Sequence, residues 1–102
     1  MIVYNTTYHA HNSVTDEFVA WLKATYIPKA VVDGRLIEPR LTTVLNAEES
    51  DGVNYSLQFR AESVDALRKW YEEIGDDLVV ELSKVFGQNV AGFSTLLEEI
   101  DL

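Results

Sequence analysis

No cysteine occurs among the 102 residues. That removes disulfides, thiolate metal sites and cysteine nucleophiles together, and it is compatible with a reducing compartment. Basic side chains are scarce: 8 lysines and arginines stand against 17 aspartates and glutamates, for a formal charge of −9. Such a surface repels phosphate backbones and anionic lipid, so neither nucleic acid nor a membrane surface is expected as a partner. No stretch approaches the ~20 consecutive apolar residues of a membrane span. The chain opens straight into a strand pattern without a basic n-region or an apolar leader, so no signal peptide is expected and a cytoplasmic location is. The 5 glycines are scattered singly, which leaves a nucleotide without a phosphate-cradling loop. There is no repeat, low-complexity tract or linker.

What is present suits one domain over residues 1–102. The apolar share of 47% is ordinary for a globular chain that folds without staples. Residues Ile2 to His9 are rich in β-branched and aromatic types and read as a first strand. Ser13 and Thr15 are candidate N-caps, followed by Asp16 and Glu17 at the positive end of a helix. Phe18, Trp21, Leu22, Thr25 and Tyr26 then recur on one helical face. Pro28 interrupts that helix, or opens a short second turn that ends at Gly34.

Residues Arg40 to Ala47 read as a second strand, with Pro39 at its start, and Asp51-Gly52 signals a hairpin turn. Val53 to Arg60 alternates: Val53, Tyr55, Leu57 and Phe59 point one way, Asn54, Ser56, Gln58 and Arg60 the other. Ser63 caps a second helix whose apolar positions are Val64, Leu67, Tyr71, Ile74, Leu78, Leu82 and Val85, with Gly87 as its stop. Gly75 inside it marks a kink or a close approach. Val90 to Leu97 reads as a fourth strand.

Strand, helix, strand, strand, helix, strand with right-handed crossovers is the βαββαβ, or ferredoxin-like, α+β fold: a four-stranded antiparallel sheet with both helices on one face. The first and third strands are central, the second and fourth are edges. The more apolar side of strand one, Ile2, Tyr4, Thr6 and Tyr8, then lies under the helices. Asn5, Thr7 and His9 join Ser56, Gln58 and Arg60 in a polar patch on the other face. Short polar side chains there, with this net charge, do not form the aromatic stacking platform of an RNA-binding sheet. The apolar fourth strand needs a cover at its edge, which self-association or a fold-back of Glu98 to Leu102 supplies.

Chemistry-bearing groups are sparse. His9 and His11 could face one side of a strand, yet no third ligand is identified, and no metal site is expected. Ser50, Ser56 and Ser94 lack a nucleophile-elbow context. The paired acids, such as Glu72-Glu73 and Asp76-Asp77, diverge by about 100° on a helix and read as solvated charge. Of the aromatics, Tyr4, Trp21 and Tyr55 are the candidates for lining a cleft between sheet and helices, because buried phenols and indoles need polar partners that a ligand can supply.

The segments Met1 to Thr7, Tyr26 to Ala30, Tyr55 to Phe59 and Gly92 to Glu99 together resemble the bacterial domain of unknown function 4286. The resemblance spans nearly the whole chain and implies a ferredoxin-like fold with no assigned catalytic residue. More remotely the chain is similar to the dimeric α/β-barrel group, in which two sheets pack face to face and some members are cofactor-independent oxygenases. From these readings the expected function is a cytoplasmic homodimer binding a small organic ligand or serving as a regulatory module, with no cofactor and no chemistry of its own. A cofactor-independent oxygenase or isomerase, and a structural partner protein, are the alternatives. The candidate ligand-binding residues are Asn5, His9, Gln58 and Arg60 on the sheet and Tyr4, Trp21 and Tyr55 in the cleft.

Overall fold

A computed structural model describes residues 1–45 and 51–102. Among them, β1 (Ile2–His11), β2 (Leu36–Thr43), β3 (Gly52–Ala61) and β4 (Val90–Glu98) form one sheet in the order β2-β3-β1-β4, with every neighbouring pair antiparallel. The expected centre and edges are in place. The ferredoxin-like fold follows from the alternation of β1, whose Ile2, Tyr4, Thr6, Tyr8 and Ala10 are all buried while Val3, Asn5, Thr7 and His9 are half-buried on the opposite face.

The helical layer lies on the Tyr4 and Tyr8 side. Residues 15–30 run as α1 (Thr15–Trp21), a π turn (Leu22–Tyr26) and α2 (Ile27–Ala30). Residues 64–86 repeat the plan with α3 (Val64–Trp70), a π turn (Tyr71–Gly75) and α4 (Asp76–Phe86). In the first segment Phe18, Leu22, Tyr26 and Ala30 are buried, one every fourth residue. In the second, Trp70, Leu78 and Phe86 are buried and Ile74 and Leu82 pack against the core at the same interval. A step of four drifts about 40° per repeat on a regular 3.6-residue helix. A single wide turn in each segment takes up the accumulated drift and returns the stripe to the core.

This corrects the expected face of the second helix. Val64, Tyr71 and Val85 are exposed, and Trp70 and Phe86 hold the core positions assigned to their neighbours. Pro28 does not break the first segment. It falls in the first turn of α2, where a missing N–H costs little, directly after the π turn has changed the bonding register. The expected caps at Ser13 and Thr15 are replaced by His11, whose ring nitrogen accepts from the Ser13 N–H ahead of a 3-10 turn. Ser63 does cap α3, accepting from the Ala66 N–H at 3.0 Å, and Gly87 ends α4 at φ 55°, a backbone that residues with a Cβ rarely adopt.

β2 begins at Leu36 and ends at Thr43, not Arg40 to Ala47. The chain enters pairing earlier because Leu36 is fully buried opposite Ala61, and Pro39 sits inside a bulge between Ile37 and Arg40, with Glu38 at φ 54°. An edge strand tolerates that interruption. Asp51 precedes β3 and Gly52 opens it, while residues 46–50, on which the end of the expected second strand and the start of the expected turn fall, lie outside the described residues.

Candidate functional site

On the open sheet face Asn5 lies opposite Gln58, Thr7 opposite Ser56, His9 opposite Asn54 and Val3 opposite Arg60. A polar row therefore runs down the sheet centre. Ser56 donates to Asn5 Oδ1 at 2.6 Å, and Asn5 Nδ2 donates to Thr7 Oγ1 at 3.3 Å. His9 Nδ1 and Asn54 Oδ1 are 2.6 Å apart, and His9 Nε2 lies 3.3 Å from Asp51. These groups bond largely to one another, and Thr7, His9 and Asn54 also border a hollow of about 260 Å³ with Ala91, Gly92 and Phe93 of β4.

Two of the candidates are also far apart. His9 and the residue facing Arg60 are separated by six positions of β1, roughly 20 Å along the strand. Arg60 is engaged by a two-pronged pair with Glu99 at 2.6 and 3.1 Å and by Glu38 at 3.0 Å, which holds its guanidinium firmly charged. It fastens the chain end beside β1, where the Glu99 N–H also reaches the Met1 carbonyl at 3.0 Å. The expected fold-back of the acidic tail over the outer edge of β4 is not formed: Glu98 and Glu99 continue alongside β1, and Ile100 and Leu102 are exposed.

On the helix side the concave feature is a cleft in two lobes along β4. The first, about 310 Å³, has Tyr4, Thr6, Tyr8, Gly92 and Ser94 on its floor and Tyr26, Val79, Leu82 and Ser83 around it. The second, about 490 Å³ and more open, lies between Leu96 and the Val64, Leu67, Arg68 and Tyr71 side of the helical layer. Tyr4 and Ser94 line both lobes. Pairing explains the space. The helix-side positions of β4 opposite Tyr8 and Thr6 are Gly92 and Ser94. A Cβ at Gly92 would sit 2.8 Å from the Tyr8 ring, so the absence of a side chain there lets the phenol lean over the edge strand.

Burial pushes the Tyr8 phenol up to about 12, with Tyr26 and Thr6 beside it offsetting part of that shift. Burial and the surrounding phenols push Tyr26 higher still. Both are neutral donors at neutral pH. Trp21 and Tyr55, expected in the cleft, line neither lobe. Trp21 packs on Tyr26 and Phe86 with ring centres 5.8 and 5.6 Å away, and Tyr55 on Phe18 at 5.9 Å. Of the three cleft candidates, Tyr4 alone is on its wall.

With this geometry in view, the family described as domain of unknown function DUF4286 matches residues 1–100. The chain belongs to that family. No curated protein matches the sequence of this DUF4286 chain. Its fold is shared with solved structures of several activities. One is assigned as an antibiotic biosynthesis monooxygenase from Deinococcus radiodurans, with 14% identity, a TM-score of 0.72 and coverage of 100% of this chain and 95% of the other. A hydroxynitrile lyase from Passiflora edulis has 14% identity, a TM-score of 0.63 and 99% and 97% coverage. SnoaB, a cofactor-independent oxygenase from Streptomyces nogalater, has 11% identity, a TM-score of 0.60 and 99% and 95% coverage. At such identities the likeness is one of fold, and a fold hosts many chemistries.

The DUF4286 cleft residues that the sequence reading passed over are Thr6, Tyr8, Tyr26, Ser83 and Ser94. One signal for them was available. The alternation Val90, Gly92, Ser94, Leu96 places small residues on the helix side of an edge strand, where a filled core would call for large ones. Among the described residues no group of three histidines or carboxylates is placed to hold a metal ion, and no helix is long and apolar enough to cross a membrane.

Proposed function

We propose that this DUF4286 protein is a homodimeric module that binds a small, largely apolar organic molecule in the cleft along β4. The observation that carries this reading is the lining of the first lobe: apolar side chains interleaved with six hydroxyl-bearing residues, Tyr4, Thr6, Tyr8, Tyr26, Ser83 and Ser94. Polar groups set in an apolar hollow are the usual composition of a ligand site. The alternative of a cofactor-independent oxygenase or isomerase needs a positioned proton acceptor. The titratable groups lining this lobe are phenols, and the two most buried are held protonated. They suit donation to a ligand better than abstraction of its proton.

Nile red, a neutral solvatochromic dye, is expected to bind the purified chain and shift to the blue. Ser83→Trp, at an exposed position of α4 on the cleft wall, should fill the lobe and weaken the dye at least about tenfold without altering the far-ultraviolet circular dichroism. Undiminished binding by that variant would count against the cleft.

The dimer rests on the open sheet face. Phe93 is 66% and Leu97 45% exposed on β4 beside the polar row, and Ile37 is 38% exposed on β2. Two such faces packed on each other cover these side chains isologously. Light scattering at micromolar concentration is expected to report the mass of two chains, and the mass of one would end the dimer proposal.

A further inference from the structure

The hydroxyls at the junction of the two lobes have a direction. Ser94 Oγ donates to the Tyr4 phenol oxygen at 3.4 Å, and Thr6 Oγ1 and Ser94 Oγ are 3.0 Å apart. A serine hydroxyl carries one proton. With that proton committed to Tyr4, the bond between Thr6 and Ser94 must be donated by Thr6. The chain therefore runs Thr6 to Ser94 to Tyr4, and it ends on the phenol's own proton.

Tyr4 is buried, sits under the junction and lines both lobes, and its ring is fixed edge-on against Trp70, with centres 5.6 Å apart. Hydrogen bonds in series polarise one another, by about 10–30% per bond, and here every bond pushes in the same sense. The last donor in the series is thereby made stronger than an isolated phenol. It stands where a molecule spanning the lobes must pass.

We propose that Tyr4 is the donor to an acceptor oxygen, a carbonyl or ether, on the ligand that occupies this cleft, with Thr6 and Ser94 as positioning residues that aim and polarise its phenol. The inference rests on the cleft reading above and adds the chemistry of the ligand: a neutral molecule with an apolar body and one acceptor near its middle, seated across Leu96 and Val79. An acceptor-free hydrocarbon of the same shape fits the walls but leaves the phenol proton unbonded, which costs affinity.

Two probes separate the claims. Prodan is a neutral naphthalene dye bearing a ketone, and dimethylaminonaphthalene is its analogue without the acyl group. Fluorescence titration of the full chain is expected to give Prodan an advantage of about tenfold over the analogue, the size of one good hydrogen bond. Tyr4→Phe keeps the ring that packs on Trp70. It should bring the two probes within about twofold of each other, with the analogue's affinity unchanged. Ser94→Ala, which leaves Tyr4 in place but cuts the series, should reduce the Prodan advantage by a smaller factor. A Prodan advantage that survives Tyr4→Phe overturns the proposal, as does an equal loss for both probes. Equal affinity of the two probes for the unaltered chain overturns it while leaving the cleft in place. Failure of both to bind overturns the cleft and the donor together.

Discussion

Trp70→Ala is expected to destabilise the chain by about 3–5 kcal/mol, read as a fall in the urea midpoint at unchanged slope. Trp70 is fully buried, at 0% exposure. Its ring packs edge-on against Tyr4, and its indole N–H donates to the Ala30 carbonyl at 2.8 Å. That one bond ties the end of the first helical segment to the middle of the second. Removing the side chain opens a large apolar void and leaves a buried carbonyl without its donor, and the two penalties fall in the same place. Against the roughly 5–15 kcal/mol of a typical domain, the loss is a large share. A change below about 1 kcal/mol would mean that the site collapses freely around the missing ring.

The second large effect has a sign that secondary-structure propensity gets wrong. Within a helix, alanine is favoured over glycine by about 1 kcal/mol, so Gly75→Ala should stabilise if Gly75 were merely a weak helical position. A Cβ there would lie 2.5 Å from Trp70 Cζ3, 2.9 Å from Cη2 and 2.9 Å from the Tyr71 ring. The Trp70 ring is held by its core contacts and its hydrogen bond, so it has no space to yield. Overpacking of this kind costs typically 1–3 kcal/mol, and after the helical gain the net expectation is a destabilisation of up to about 2 kcal/mol. Placed in a Trp70→Ala background, the same substitution loses both indole contacts and meets only the exposed Tyr71 ring, so its cost should shrink markedly. A double-mutant cycle measured by urea unfolding reads this coupling directly. Additive effects would show that the methyl and the indole do not compete for one space.

The close approach at Gly75 was one of the two possibilities the sequence offered for that residue, and only packing distinguishes it from a kink. The π turns were less visible, although their trace is in the sequence. Phe18, Leu22, Tyr26 and Ala30 recur at intervals of four with no compensating step of three, and so do Trp70, Ile74, Leu78, Leu82 and Phe86. Reading these runs against a 3.6-residue period assigned Tyr71 and Val85 to the core. The adjacent larger aromatics Trp70 and Phe86 claimed those places, because the wider turn rotates the helix to meet them. Pro28 left two readings open, and the one that opens a short turn holds, because its local cost depends on which carbonyl the missing N–H would have met and the π turn just before it changed that.

The cleft was harder to foresee than the polar row. Strand alternation fixes which side chains share a face, and so Asn5, Thr7, Gln58 and Ser56 fell together as expected. It does not fix how far along the strands two residues lie, and register placed Arg60 and His9 at opposite ends. Register also set Gly92 under Tyr8 and Ser94 beside Thr6. Small residues on an edge strand then became a hollow, because the helices above do not descend to fill it.

By itself, then, the order of amino acids settled what depends on periodicity: the strand-helix sequence, the two central strands, the buried side of β1 and the absence of any thiol chemistry. Tertiary structure decided what depends on distances between segments remote in the chain. It joined Thr6 and Tyr4 to Ser94, 88 and 90 positions away, and it drew Arg60 to Glu99 and Glu38. Hydrogen bonds and cavities exist only once backbones have been brought within a few ångströms, and local pattern carries no term for that.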